Sequence, residues 1–544
     1  MEKIFKIALV IVGALFLGAV VGNRLSPDDL IIAGKVAGLD FSRSEIDSLR
    51  EGVERDRLSY IESRKTPLDN GIAPALVFNP LPSSFEYPQE VRPLYFSSND
   101  EVSLPENLDD LAFYTISELS TLIRQRKITS VELTTFFLNR LKQFNSQLFC
   151  VITLTEERAM IQAMQADKEI AAGQYRGLLH GIPYGAKDLF SVAGYPTTWG
   201  AMPFKDQVID KDAAVIKKLD EAGAVLLGKL SMGALAWGDV WFGEKTRNPW
   251  NISTGSSGSS AGSGSAVAAG LVPFALGTET LGSIISPSTV NGITGLRPTF
   301  GRVSRDGAMA LVWSMDKIGP MTRSAEDAAI VFSVLHGADK KDPSSVDLPF
   351  NYDSRTDIST LKIGFLPEAF ERDYPFKKND SLILAILKEE GFDLIPITLP
   401  TLPDLRLILN VESAAAFDEL TTSNRDDLLV RQIKNAWPNV FRQARFVPAV
   451  EYVQANRRRS LLIEEMQEVF EKVDVYIHPT WGGSSLTITN YTGHPSICFP
   501  NGFVDGLPSS ISITGKLYDE ASILHLAQFI QDRTDYHHQH PEGF

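Results

Sequence analysis

The amino-acid sequence predicts an α/β fold, and two observations lead to this prediction. Hydrophobic residues make up 44% and charged residues 22% of the 544 positions. This composition is typical of a globular protein and excludes a wholly disordered or fibrous chain. From about Leu108 onward, helical patterns alternate with short apolar runs, as they do in domains whose strands are connected by helices.

Local signals in this part of the sequence place individual elements. Thr129 and Glu132 have the spacing of a capping box, which predicts the start of a helix. Short apolar runs that predict strands lie at residues 181–184, 224–227, 361–365 and 473–478.

An N-terminal extension, residues 24–107, precedes this region. Ser42 and Glu45 have the spacing of another capping box and predict a helix over residues 42–64. Seven prolines in residues 67–105 then predict an extended strap, because proline lacks the amide hydrogen that helices and sheets use.

The first residues carry the pattern of a targeting segment. Lys3 and Lys6 precede an uninterrupted run of apolar residues and glycine over residues 7–22. The run is longer than the about 7–15 residues of a signal-peptide core and shorter than the about 20 that span a bilayer. We predict that residues 1–23 are an export signal or an N-terminal membrane anchor, and that the protein is periplasmic or secreted. A buried helix of the folded domain is the alternative.

Charge and composition exclude several functional classes. The 52 basic and 67 acidic side chains give a net charge of −15, which disfavours a nucleic-acid partner. Cys150 and Cys498 are the only cysteines, too few for a disulfide scaffold. The sequence has no HExxH motif, and we predict no metal site. The histidine-rich end at residues 537–540 fits metal binding less well than a solvated terminus.

The most informative stretch is residues 253–298. It begins STGSSGSSAGSGS, a composition that alone favours a flexible linker. An apolar, alanine-rich run at residues 266–275 follows, however, and continues directly into GTETLGS at residues 277–283. Small residues also let backbone amides approach a reacting atom. We therefore predict a folded, functional segment.

Together with three further blocks, this stretch resembles the amidase signature family. The resemblance extends from about Leu108 to Arg533. It implies a large mixed β-sheet sandwiched between α-helices, a catalytic domain over residues 108–544, and no cofactor. The similar blocks are GIPYGAKDLF at 181–190, the segment 248–304, DKIGPMTR at 316–323, and the segment 490–515.

The resemblance implies an amidase that hydrolyses the linear carbon–nitrogen bond of a small-molecule amide through a serine acyl-enzyme. One alternative is the glutaminase-like component of a tRNA-dependent amidotransferase, which shares the signature and works in the cytosol with a partner and ATP. The predicted export segment counts against it. The other alternative is a catalytically weak binding protein of the same fold. The sequence identifies neither the substrate nor the oligomeric state.

The family's triad of one lysine and two serines can be assigned residue by residue. Lys187 occupies the lysine position of GIPYGAK, and Ser283 occupies the nucleophile position of GTETLGSII. The bridging serine is Ser259, because two counts by the family's spacing reach it: back from Ser283 (283 − 259 = 24) and forward from Asn248 (259 − 248 = 11). Its peptide bond is cis in the family.

These residue types suit acyl transfer. A serine hydroxyl attacks poorly until a base removes its proton, and lysine is a base only when burial keeps it neutral. Ser259 would relay the proton from Ser283 to Lys187. The developing oxyanion would be held by the backbone amides of Thr280, Leu281, Gly282 and Ser283.

Met232, in GKLSMG, resembles a residue that lines the acyl pocket, although a core-filling role explains it at least as well. Lys229 in the same segment occupies a structural position of the family and is not assigned as the base.

Three residues depart from the family pattern. Leu281 replaces a glycine and narrows the space beside the oxyanion amides. Glu279 replaces an aspartate, and Ile285 replaces an arginine that supports the nucleophile loop. Glu279 therefore needs another partner, either Arg297 or Arg302, or it is protonated.

Overall fold

A computed structural model describes residues 25–66, 68–98 and 100–544. The segment predicted to be an export signal or membrane anchor, residues 1–23, lies outside these ranges. Among the helices of the described ranges, none has both the length and the apolar character needed to cross a membrane.

The secondary-structure elements alternate along the chain as predicted for an α/β fold. The strands are β1 (Val151–Leu154), β2 (Pro183–Lys187), β3 (Val225–Leu230), β4 (Arg247–Asn248), β5 (Asn251–Gly255), β6 (Ala275–Glu279), β7 (Thr294–Arg297), β8 (Lys317–Thr322), β9 (Ile363–Phe365), β10 (Leu394–Pro396), β11 (Val475–Pro479), β12 (Ser496–Val504) and β13 (Leu507–Gly515). The α-helices are α1 (Pro27–Val36), α2 (Arg43–Ser63), α3 (Ile116–Arg124), α4 (Ser130–Leu148), α5 (Glu156–Ala171), α6 (Ala214–Glu221), α7 (Ala261–Ala268), α8 (Ile285–Asn291), α9 (Ala325–Leu335), α10 (Pro367–Glu371), α11 (Lys377–Glu389), α12 (Arg406–Ala416), α13 (Asp418–Thr422), α14 (Trp437–Ala444), α15 (Ala449–Phe470), α16 (Ser485–Thr492) and α17 (Glu520–Thr534).

One large mixed sheet organises the described chain. Its eleven strands have the order β1-β3-β2-β6-β8-β7-β12-β13-β11-β9-β10, and β4 and β5 form a separate antiparallel pair. Strands β3, β2 and β6 run parallel, as do β11, β9 and β10. The strands between these two groups pair in antiparallel fashion. The prediction of a large mixed sheet is confirmed.

The local sequence signals match the observed elements closely. The four apolar runs correspond to β2, β3, β9 and β11, each with its bounds shifted by a few residues. Both predicted capping boxes form: the Ser42 side chain accepts from the Glu45 amide ahead of α2, and Thr129 accepts from Glu132 ahead of α4.

The pairing of β2 with β6 positions the candidate site. The two strands are parallel neighbours, with Gly185 opposite Ala275 and Ala186 opposite Leu276. Their carboxyl ends therefore meet at the same edge of the sheet. Lys187 ends β2, and the chain that leaves β6 carries Ser283 into α8.

The serine- and glycine-rich run is a packed part of the core rather than a linker. Every residue of α7 is buried. A side chain at Gly258 would collide with the carbonyl oxygen of Gly238, and one at Gly262 would meet the carbonyl oxygen of Cys150. The absence of side chains thus permits this close packing.

The proline-rich strap follows the surface of the domain in an extended conformation. Its regular pairing within the described ranges is a single bridge between Tyr95 and Asp353. Phe78 packs edge-on against Phe300, with ring centroids 5.0 Å apart, and the Ser83 amide donates to Glu464 at 2.8 Å. The extended strap is as predicted, while the division into extension and catalytic domain stays a prediction.

The histidine-rich end packs against the domain. His537 is buried, and His540 stacks on Phe113 with ring centroids 3.8 Å apart. Arg323 donates to the backbone carbonyls of residues 537–539. The described ranges contain no group of three or more histidine, cysteine or carboxylate side chains that could hold a metal ion.

Candidate active site

Lys187 lies at the centre of a buried polar cluster. Its side chain is 0% exposed, and Nζ lies 2.8 Å from Ser259 Oγ, 3.0 Å from Ser260 Oγ and 2.9 Å from Thr278 Oγ1. No carboxylate forms an ion pair with it in the described part of the chain. Three of its partners are hydroxyl groups, and the fourth is the carbonyl oxygen of Thr278 at 3.4 Å. All four are uncharged, so the surroundings do not require a charged ammonium.

Burial changes the acid–base character of this lysine. Loss of hydration lowers the pKa of Lys187 from its ordinary value to about 7, and the nearby carboxyl groups of Asp316 and Glu279 only partly oppose the shift. A substantial neutral fraction is therefore present near neutral pH, as a general base requires.

The two serines are brought to the same place by different segments. Ser259 follows a cis peptide bond from Gly258, in agreement with the family resemblance. The backbone amide of Ser260 donates to the carbonyl oxygen of Ser283 at 3.2 Å, which ties the serine-rich run to the loop after β6. Ser283 itself is 9% exposed, and its hydroxyl donates to no described protein group. The lysine and both serines are thus neighbours.

The loop that carries Ser283 presents backbone amides without protein acceptors. In the described structure, no hydrogen bond occupies the N–H groups of Leu281, Gly282 or Ser283. Gly282 has a φ of 93°, a left-handed conformation that glycine adopts without strain. Leu281 is 36% exposed, so its side chain lies at the surface of this loop. Thr280 is fixed by its hydroxyl, which donates to Asp316 at 2.5 Å.

Glu279 holds the nucleophile loop in place. Its carboxylate accepts from the amides of Ile284 at 2.8 Å and Ile285 at 2.9 Å, and from Arg297 at 2.9 Å and Asn490 at 2.7 Å. Burial alone would raise the pKa of Glu279, but the Arg297 charge and these hydrogen bonds outweigh it and lower that pKa.

Arg297 is therefore the partner that replaces the arginine missing at Ile285. The other candidate, Arg302, instead pairs with Glu520 at 3.1 Å. The protonated form of Glu279 that the sequence left open is disfavoured by the lowered pKa.

Lys229, the competing lysine, has a structural environment. Its Nζ lies 2.7 Å from Asp188 Oδ1 and donates to the Pro196 carbonyl and the Thr197 hydroxyl at 2.8 Å each. The ammonium group thus has one charged and two uncharged protein partners. This ion pair is fully buried, in contrast to the uncharged partners of Lys187.

A cavity of about 470 Å³ adjoins the cluster. Thr278, a partner of Lys187, and Thr280 both line it. Lys187, Ser259 and Ser283 are not among its described lining residues, so the cavity reaches the triad through these two threonines. Met232 is fully buried in the hydrophobic core and is not among the described residues that line the cavity. Its assignment to an acyl pocket stays a prediction without a supporting contact.

Sequence reasoning missed three residues of the site. Thr278 and Ser260 both contact Lys187 Nζ, and Asp316 accepts from Thr280. Burial raises the pKa of Asp316. Two of these residues could have been suspected from their positions in the sequence. Ser260 adjoins the assigned bridging serine, and Asp316 begins the DKIGPMTR block.

Comparisons with known proteins agree with this geometry. A family model described as Amidase matches residues 132–490. The chain is 33% identical over 479 residues to a protein of Coxiella burnetii named as the A component of glutamyl-tRNA(Gln) amidotransferase, and the alignment covers 79% of this chain and 99% of that protein.

Solved structures are similar as well. The native peptide amidase of Stenotrophomonas maltophilia has a TM-score of 0.69 and 29% identity, over 77% of this chain and 97% of that chain. An amidase family protein of Bacillus anthracis has a TM-score of 0.72 and 26% identity, over 80% of this chain and 93% of that one.

The prediction of a periplasmic or secreted protein is wrong. The finding against it is that the relatives that match 79% of the chain are named as components of glutamyl-tRNA(Gln) amidotransferases. Membrane attachment is not supported, and residues 7–22, on which it was predicted, lie outside the described ranges. An apolar N-terminal run by itself does not establish export.

Proposed function

Because the chain belongs to the amidase signature family, we propose that it hydrolyses an amide bond through an acyl-enzyme on Ser283. Residues 108–544 would form the catalytic domain, and residues 24–107 an extension of it. The observation that carries the proposal is Lys187, a fully buried lysine with a pKa lowered to about 7 and a hydroxyl of the triad 2.8 Å away.

The hydrogen-bond pattern supports Lys187 as the base. Ser260 Oγ donates to the Thr278 carbonyl at 3.2 Å and is therefore an acceptor for Lys187. A neutral lysine has two N–H groups and one lone pair. If the N–H groups bind Ser260 Oγ and Thr278 Oγ1, the lone pair faces Ser259 and can take its proton.

The proposed reaction has two halves. Ser283 Oγ attacks the carbonyl carbon and passes its proton through Ser259 to Lys187, while the amides of residues 280–283 hold the oxyanion. The proton then goes to the leaving nitrogen as the carbon–nitrogen bond breaks. Water attacks the acyl-enzyme by the same route, releases the acid and restores Ser283. The hydrogen bond from Ser283 to Ser259 is expected to form with substrate bound, as catalytic contacts often do.

Two functions use this chemistry. The first is a linear-amide hydrolase that acts alone, and its support is the structural similarity to peptide amidase. The second is the ammonia-releasing component of an amidotransferase. Its support is the curated relative, which the chain matches over 99% of that protein's length. The main argument against the second candidate was the export prediction, and that argument no longer stands.

The proposal can be tested by measuring the release of ammonia or amine from a panel of amides that includes free glutamine. The same measurement separates the two candidates. Activity on peptide or small aliphatic amides exceeding that on glutamine supports the hydrolase. A preference for glutamine supports the amidotransferase component. Activity that survives in Ser283→Ala would overturn the proposed nucleophile in both cases.

A further inference from the structure

The proline-rich strap contributes residues to the cavity beside the candidate active site. Asp69, Asn70, Gly71 and Ala73 line the same cavity as Thr278 and Thr280. The cavity is thus enclosed partly by the N-terminal extension and partly by the strand that leads to Ser283. These strap residues precede residue 132, where the match to the family model begins.

Asn70 fixes the strap to two separate segments of the domain. Its Nδ2 donates to the carbonyl oxygens of Ala310 at 2.9 Å and Ala416 at 3.2 Å, and its Oδ1 accepts from the Ala310 amide at 2.8 Å. Both amide hydrogens and the carbonyl oxygen of this side chain are therefore used. Ala310 itself lines the cavity, so the anchor lies at the wall.

The strap backbone is shaped locally to reach this position. The Gly71 amide donates to Asp69 Oδ1 at 2.7 Å, and the Ile72 amide donates to the Asp69 carbonyl at 3.0 Å. Together these bonds form a turn around Asn70 that directs its side chain to Ala310. An aspartate favours such a turn because its side chain accepts from the backbone two residues later.

We propose that residues 69–73 form a wall of the substrate cavity that limits the length of the acyl chain, with Asn70 as the residue that holds the wall in place. The inference rests on the proposed acyl-enzyme chemistry and adds a substrate class to it: amides of short acyl groups. Asn70 is a positioning residue, since it acts through the strap and not on the reacting atoms. Extensions of this kind can set specificity without altering the catalytic residues of a shared fold.

The test compares labelling rates of Ser283 by two alkyl fluorophosphonates, one with a methyl and one with a dodecyl chain. Such probes report cavity length without knowledge of the natural amide. We expect the parent to react faster with the methyl probe. In Asn70→Ala the ratio of dodecyl to methyl labelling should rise by about tenfold, the scale on which a pocket discriminates chain length. Asn70→Asp keeps the acceptor for the Ala310 amide but sets a carboxylate oxygen against the carbonyl oxygens of Ala310 and Ala416, and should raise the ratio at least as much.

Glu464→Ala is the matched control. It removes the acceptor of the Ser83 amide, a strap contact at an exposed position outside this cavity. Its labelling ratio should stay within about twofold of the parent.

The outcomes separate the two claims. A parent that neither probe labels would overturn the proposed function and this inference with it. A labelled parent whose ratio is unchanged in both folded Asn70 variants would overturn the inference alone. An equal rise of the labelling ratio in Glu464→Ala would also overturn the inference, because loosening the strap anywhere would then change the ratio.

Discussion

Lys187 Nζ lies 2.8 Å from Ser259 Oγ inside the protein, and no carboxylate forms an ion pair with that lysine in the described part of the chain. Most buried lysines are paired with an acid. Burial lowers the pKa of Lys187 to about 7, and without an ion pair the lysine is left as a base next to a hydroxyl. Lys229 shows the opposite arrangement, because it is paired with Asp188 at 2.7 Å.

The two lysines should respond differently to replacement by methionine. Lys187→Met removes no ion-pair partner, so the protein should fold while kcat/KM falls by about 10²–10⁴, the usual contribution of a general base. Lys229→Met leaves the Asp188 carboxylate buried without its cation and should lower the free energy of unfolding by about 3–5 kcal/mol. Denaturant unfolding and steady-state kinetics on both variants check this contrast. Normal activity in Lys187→Met would contradict the assignment of the base.

The pH dependence of kcat/KM should show the titration of Lys187. The neutral amine is the active form, so activity should rise with pH through about 7 and fall as acid protonates the amine. A pH profile of the purified protein checks this. A rate that is flat between pH 5 and pH 9 would exclude a base with this pKa.

Ser260→Ala should move this profile to lower pH. The substitution removes a hydroxyl 3.0 Å from Lys187 Nζ that stabilises the ammonium, so the pKa of the lysine should fall further. Ser263→Ala is the matched control, because the Ser263 hydroxyl on the adjoining helix α7 donates to the Leu276 carbonyl at 2.9 Å instead. A profile that shifts equally in both variants would point to a general packing effect.

Several parts of the fold and the site were predictable from sequence, and the reason is that their signals are local. The capping boxes depend on residues three positions apart. The triad residues were assigned from the family resemblance, which places Lys187 in one conspicuous block and Ser259 and Ser283 in another. The partner of Glu279 was not settled in this way. Arg297 lies on a different strand and became identifiable only when the sheet order brought β7 beside β8 and β8 beside β6.

The cavity wall was unpredictable for the same reason. Composition correctly indicated an extended strap, but nothing in the sequence relates Asn70 to Ala310, which is 240 residues away. The export prediction failed because hydropathy reports an apolar segment and not its destination.

The ion pair between Glu279 and Arg297 should matter for stability. Both side chains are fully buried, so Glu279→Gln leaves the guanidinium without its counter-charge and should lower the free energy of unfolding by about 3–5 kcal/mol. The pKa of Glu279 is lowered in the folded protein. Its ionisation therefore stabilises the folded protein fully when the pH is above the ordinary carboxyl pKa. This stabilisation is lost as the pH falls through the lowered pKa of the folded protein.

Denaturant unfolding at several pH values tests this prediction. Arg92→Ala is the control, since its pair with Glu90 is exposed on both sides and should have no measurable effect on stability. If Glu279→Gln and the parent have the same free energy of unfolding at neutral pH, the ion pair does not hold the nucleophile loop.

Peptide-mapping mass spectrometry after reaction with the methyl fluorophosphonate can decide whether Ser283 is the nucleophile and Lys187 its base. The proteins to compare are the parent, Ser283→Ala and Lys187→Met. We expect a single adduct on the peptide that contains Ser283, its loss in Ser283→Ala, and much slower formation in Lys187→Met. An adduct on another serine of the parent, or one that persists in Ser283→Ala, would contradict both assignments.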